Sequence, residues 1–143
     1  MTEGMNVRDS HIDPALAEDP YALQKHLGFK ITGWEKDYAR VELPMQDHLG
    51  NRYGIPHGGV HATLLDTAMG FAGCYTGDPA EKQLAMTLSL NVNYVGQMKG
   101  SLLICEGFRT GGGRKTFFAE ARVTDDLGTL IATGTAVFRY RSR

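Results

Sequence analysis

Two cysteines in 143 residues, Cys74 and Cys105, stand far apart in apolar company. No CxxC pair or Cys/His frame accompanies them. A disulfide scaffold and a structural zinc site are therefore excluded, and both thiols read as reduced core residues. No apolar run approaches eighteen residues, which excludes a membrane-spanning helix. The polar stretch 1–13 lacks the apolar core of a signal peptide, so the chain reads as cytoplasmic. Charge of one sign is lacking too. Fifteen Lys+Arg against sixteen Asp+Glu leave a net charge of −1, no global field for nucleic acid or an anionic membrane. Five prolines and no G-x-y period exclude collagen-like and linker sequences.

Glycine is the residue in excess, at 18 of 143 against roughly 7% in average usage. With 42% hydrophobic and 22% charged residues, the composition predicts one globular domain over 1–143, with 1–28 as an N-terminal segment carrying a short helix. Asp13-Pro14 reads as a helix start and Gly28 as its end, predicting a helix over about 15–27. Two strands follow, 29–34 and 38–43, then a polar loop, 45–56, containing Gly50, Asn51 and Gly54.

From Gly58 to Tyr75 the chain reads GGVHATLLDTAMGFAGCY, a helix so apolar that burial on nearly all sides is expected. Beyond Asp78-Pro79 the sequence alternates. Leu84, Met86, Leu88, Leu90, Val92 and Tyr94 form the clearest period-2 run, and three more strands follow over about 101–110, 115–125 and 129–140. Gly111-Gly112-Gly113 and Asp125-Asp126-Leu127-Gly128 punctuate them as hairpin connections. One long helix buried by an antiparallel sheet is an α+β arrangement.

Asp66 is the only acidic residue between Asp47 and Asp78. Gly59, Ala62, Gly70 and Gly73 share its side of the helix, so a seam of small residues carries one carboxylate. Glycine in a helix interior costs about 1 kcal/mol relative to alanine, which suggests a close approach at this seam. Desolvation makes a carboxylate a better base; tight packing with a hydrogen-bonded Asp66 is the plainer alternative. Pro56-His57-Gly58-Gly59 opens the same helix, where free N–H groups and the positive dipole end suit a thioester carbonyl oxygen. Eight residues separate Gly58 from Asp66, about 12 Å along the axis. One copy cannot easily bring both to one reaction centre, whereas two antiparallel copies can, which points to a dimer with shared sites.

The run Asn51-x-x-Gly54-x-x-His57-Gly58-Gly59, with Asp66 nine residues after the histidine, resembles the hotdog-fold acyl-CoA thioesterases of the phenylacetate-degradation type. The resemblance extends over nearly the whole chain after the first thirty residues, including Asn91-Val92-Asn93-Tyr94 and the 128–134 pattern. It implies a sheet wrapped round one helix, a homodimer or a dimer-of-dimers tetramer, and hydrolysis of acyl-CoA to acid and CoA with no metal or other cofactor. It also implies roles. Asp66 is the base or nucleophile, and Gly58 N–H polarises the carbonyl from the partner chain. Asn51 orients water or substrate, Thr87 assists, and His57 supports the turn or touches substrate.

Gly59 and His61 are expected beside the substrate, His61 as a hydrogen-bonded histidine at the rim. His57 and His61 have i,i+4 zinc spacing, but Gly58 stands where an HExxH motif needs glutamate. The stretch 111–116 lacks the G-x-x-x-x-G-K-[ST] spacing of a phosphate loop. Arg114 and Lys115 are nevertheless candidates for CoA phosphates, as are Arg109, Arg139, Arg141 and Arg143, which read more simply as solvated strand ends. Two other functions fit the same residues: a hotdog enoyl-CoA hydratase or dehydratase using His57 or His61, and a non-catalytic acyl-CoA-binding module.

Overall fold

The computed structural model describes residues 7–142. Asp13 caps the first turn as expected, its side chain accepting from Ala15 N at 2.9 Å, but that turn is a single 3-10 element, Pro14–Leu16. The chain then runs extended and re-enters a helix only at α1 (Ala22–Leu27). The continuous helix expected over 15–27 is therefore split. Pro20 explains it: it has no N–H to donate, and its ring disfavours helical geometry at Asp19. Gly28 ends α1 in the left-handed region (φ 93°), with its N–H on Gln24 O at 2.7 Å.

Six strands follow the expected order: β1 (Lys30–Glu35), β2 (Tyr38–Pro44), β3 (Ala85–Tyr94), β4 (Leu102–Gly112), β5 (Thr116–Asp125) and β6 (Leu130–Tyr140). They form one antiparallel sheet in the order β1-β2-β4-β5-β6-β3. The long helix α2 (Gly58–Gly73) lies against it and packs on every strand. This is the α+β hotdog arrangement. None of the described helices is long and apolar enough to cross a membrane.

A row of small residues runs across the sheet beneath α2: Ala39 pairs with Gly107, Gly107 with Ala121, and Ala121 with Gly134. Directly opposed residues share a face, so the row forms a trough. At Gly107 an added Cβ would lie 2.5 Å from the carbonyl carbon and oxygen of Ala68. Val60, His61, Leu64, Leu65, Ala68, Met69 and Ala72 form the stripe of α2 buried on the sheet. The Asp66 side of the helix is half-covered, so the expected burial on all sides holds for one face only in a single chain.

The run 84–94 also departs from strict alternation. Thr87 pairs with Phe138 and Ser89 with Val137, leaving Leu88 as an extra residue in a β-bulge. The bulge exchanges the two faces of the strand. Ala85 and Thr87 before it face α2, and so do Leu90 and Val92 after it. Of the apolar members of the alternating run, Leu84, Met86, Leu88 and Tyr94 are each more than half exposed.

Candidate active site

The bulge determines the chemistry available beneath α2. It directs Thr87 towards the helix, where its Oγ1 donates to Asp66 Oδ1 at 2.6 Å. The hydroxyl proton is thereby committed, and Thr87 presents lone pairs beside a carboxylate whose Oδ2 has no hydrogen-bond donor among the described residues. A cavity of about 190 Å³ opens beside this pair. Gly70, Phe138 and Ala85 line it from the helix and sheet, while Tyr21, Trp34 and Phe71 give it an aromatic wall. Trp34 is fixed there by Nε1 donating to Phe71 O at 2.8 Å. A Cβ at Gly70 would come into ordinary contact with the Phe138 ring at 3.4 Å. Gly73 serves packing instead, its missing side chain making room for the Phe117 ring.

Tyr21 is a site residue that sequence reasoning missed, because no local pattern links the start of α1 to the middle of α2. Burial pushes its phenol up against a hydrogen bond with Thr67, and the carboxylates of Asp66 and Glu18 add to the rise. Cys74 also lines the cavity, and burial, then Glu18, pushes its thiol up to about 12. A cysteine nucleophile needs the thiolate, so this thiol is a wall and not the reacting group.

The second station lies at the N-terminus of α2. His57 is the cap: its Nδ1 accepts from Gly59 N at 2.8 Å. Its carbonyl accepts from Val60 N at 2.9 Å. Gly58 N–H has no partner among the described residues and is one of the free donors of the helix N-terminus. Gly59, expected to bind substrate, has its N–H taken by the cap; the anion-binding capacity falls to Gly58.

Asn51 is brought alongside by the preceding loop. His57 N donates to Leu49 O at 2.8 Å, and Gly50 bridges Pro56. Asn51 Oδ1 accepts from Tyr53 N at 2.8 Å, an Asx turn, and its Nδ2 has no hydrogen-bond partner among the described residues. Asn51, Arg52, Tyr53 and His57 line one shallow depression.

Three expected residues lie elsewhere. His61 is not at a rim: it belongs to the buried stripe of α2, 5% exposed, with no hydrogen-bond partner for Nδ1 among the described residues. Burial lowers its pKa, which keeps the imidazole neutral. Arg114 and Lys115 sit with Arg139, Arg141, Met86 and Gln83 round a separate groove. Met86 pairs with Arg139, the alternate face from Thr87 and Phe138. Gln83 lines both this groove and the Asp66 cavity. Arg109 instead donates from Nε to Tyr140 Oη at 3.3 Å, and Arg143 lies outside the described residues.

The chain therefore holds a carboxylate–hydroxyl pair at one station and a helix-end donor with an amide at another. The profile of the thioesterase superfamily matches residues 53–132, which contain both Gly58 and Asp66. The chain belongs to the thioesterase superfamily. It is a thioester hydrolase of the hotdog fold. The 1,4-dihydroxy-2-naphthoyl-CoA hydrolase of Listeria monocytogenes is 26% identical over 109 residues, covering 76% of this chain and 87% of that protein. A conserved protein from Pseudomonas aeruginosa superposes with a TM-score of 0.77 at 27% identity, over 89% of this chain and 97% of its own. A Bacillus halodurans protein solved with CoA gives 0.70 at 29%, over 85% and 78%.

Proposed function

We propose that this thioesterase hydrolyses acyl-CoA in sites shared between two copies. Asp66 and Thr87 come from one chain, and Gly58 N–H and Asn51 from its partner. The observation that carries the proposal is the Thr87–Asp66 bond at a cavity mouth, with the free Gly58 N–H about 12 Å away along the same helix. That separation is too great for one carbonyl group to meet both.

A water molecule held by Asp66 Oδ2 and the Thr87 lone pairs loses a proton to Asp66 and attacks the thioester carbon. Gly58 N–H and Asn51 Nδ2 stabilise the oxyanion. Collapse breaks the C–S bond, and the proton on Asp66 goes to the departing thiolate, so acyl-CoA and water give acid and CoA. The acyl group occupies the cavity walled by Tyr21, Trp34 and Phe71. Arg114, Lys115, Arg139 and Arg141, which form no ion pair among the described residues, serve the CoA phosphates.

The dimer is supported by the sheet itself. β3 is an edge strand, and it exposes Met86, Leu88 and Tyr94 together with the adjoining Leu84 and Val95. An unpaired apolar edge favours pairing with another chain. A hydratase reading is less well supported, because His61 is buried away from the cavity and His57 Nδ1 is committed to the helix cap.

The test is thiol release from a panel of aryl- and alkyl-CoA esters. Asp66→Asn should lower kcat at least about 100-fold, the scale of general-base catalysis. Full activity in that variant sinks the mechanism. Co-expressed Asp66→Asn and Asn51→Ala chains should recover turnover that neither has alone, since a mixed dimer holds one intact site. Failure to recover it refutes sharing. Hydration of an enoyl-CoA without loss of CoA would favour the hydratase.

A further inference from the structure

The Gly58 carbonyl and the Gly59 N–H belong to one planar peptide unit, and side chains from two elements hold its opposite ends. His57 Nδ1 accepts from the N–H at 2.8 Å. At the other end Tyr94 Oη donates to Gly58 O at 2.7 Å, from a residue 36 positions along the chain at the end of β3. The Tyr94 ring lies where a side chain on Gly58 would go: an added Cβ would meet Cζ and Oη at 3.3 Å.

We infer that Tyr94 is a positioning residue for thioester hydrolysis, holding the Gly58–Gly59 peptide unit so that the adjoining Gly58 N–H keeps a fixed direction. The reason is conformational. The unit that carries Gly58 N–H is held on its carbonyl side by helix bonds to His57 O, among them that from Val60 N at 2.9 Å. Its other neighbour is reached through a glycine Cα, the freest hinge in a chain, at a helix end that lacks the full hydrogen-bond ladder. A donor stabilises a developing oxyanion best when it needs no reorganisation during reaction. Fixing the next peptide plane at both ends restricts one side of that hinge without Tyr94 touching substrate.

This inference rests on the proposed use of Gly58 N–H as the oxyanion donor, and Tyr94→Phe tests it separately from that reading. The variant keeps the ring against Gly58 and removes only the donated hydrogen bond. We expect kcat to fall about tenfold, equivalent to about 1.4 kcal/mol in the barrier. KM should stay within about twofold and the pH profile unchanged, because the loss arises in the transition state and not on binding. Amide hydrogen exchange at Gly59 should quicken.

Wild-type kcat in Tyr94→Phe, with Asp66→Asn inactive, overturns the inference and leaves the proposed function standing. A loss confined to KM overturns it too, since that would make Tyr94 a binding residue. Unchanged exchange at Gly59 overturns it whatever the activity. Wild-type protein that releases no thiol from any acyl-CoA is the distinct outcome that removes the proposed function.

Discussion

Replacing Gly107 by alanine should separate helix from sheet, and the structure gives the size of the effect. The new Cβ would lie 2.5 Å from the carbonyl carbon and oxygen of Ala68 and 2.8 Å from Met69 N, whereas ordinary contact begins at 3.4 Å. The shortfall is 3.4 − 2.5, or about 0.9 Å, and backbone atoms within a helix cannot rotate aside as a side-chain tip would. Either α2 lifts or β4 bows, at about 1–3 kcal/mol for overpacking of a core. Asp66 is two residues from Ala68, so a lift of that size carries its carboxylate away from Thr87 on β3. The 2.6 Å bond would stretch towards about 3.5 Å and be lost. Misplacement by about 1 Å in a catalytic group can cost about 100-fold in rate. Urea denaturation with thiol-release assays on the same preparation measures both effects. Gly111→Ala is the control, since nothing lies within 4 Å of its added Cβ, and it should change neither. Gly107→Ala protein within about 0.5 kcal/mol of wild type and fully active would refute the close approach of helix to sheet and the route from it to Asp66.

Leu88→Asp places a charge at the bulge on the exposed edge of β3; if the proposed dimer pairs through this edge, the variant should run as a monomer on size exclusion, with loss of turnover. A dimer that survives with full activity would place the shared interface elsewhere. Asp125, 2% exposed, is held at about 2 against an ordinary 3.8: burial raises it, but backbone hydrogen bonds from Gly100, Lys99 and Thr129 outweigh burial. Because the folded value is the lower one, its stabilisation is present above the unfolded pKa and disappears as pH falls from about 4 to about 2, an effect of about 2 kcal/mol. In Asp125→Asn that part of the acid dependence should vanish from denaturation curves taken between pH 5 and 2, and neutral-pH stability should fall by a similar amount; an unchanged slope refutes it.

Much of the architecture was legible because its signals are local. Gly28 ends α1 and Gly128, at φ 79°, turns the β5–β6 hairpin, each where a left-handed residue is required. The spacing of Gly58 and Asp66 along one helix could be converted to a distance of about 12 Å without knowing the sheet. Glycine was harder to interpret. The sequence places the small seam on α2, yet the approach of helix backbone to sheet backbone is made at Gly107 on the facing strand, and Gly73 answers to Phe117, 44 positions later in sequence. His61 went wrong for the same reason: its neighbours in sequence do not say which side of the helix meets the sheet. Thr87 is the most instructive case. Strict alternation over 84–94 puts Thr87 opposite the face of Leu90 and Val92, turned away from Asp66. The extra residue at Leu88 is defined only against β6, where Phe138 and Val137 pair with Thr87 and Ser89. A period is counted along one strand and a bulge is counted between two. The carboxylate could therefore be found from its own helix, but the orientation of its hydroxyl partner depends on how a strand almost fifty residues later pairs with β3.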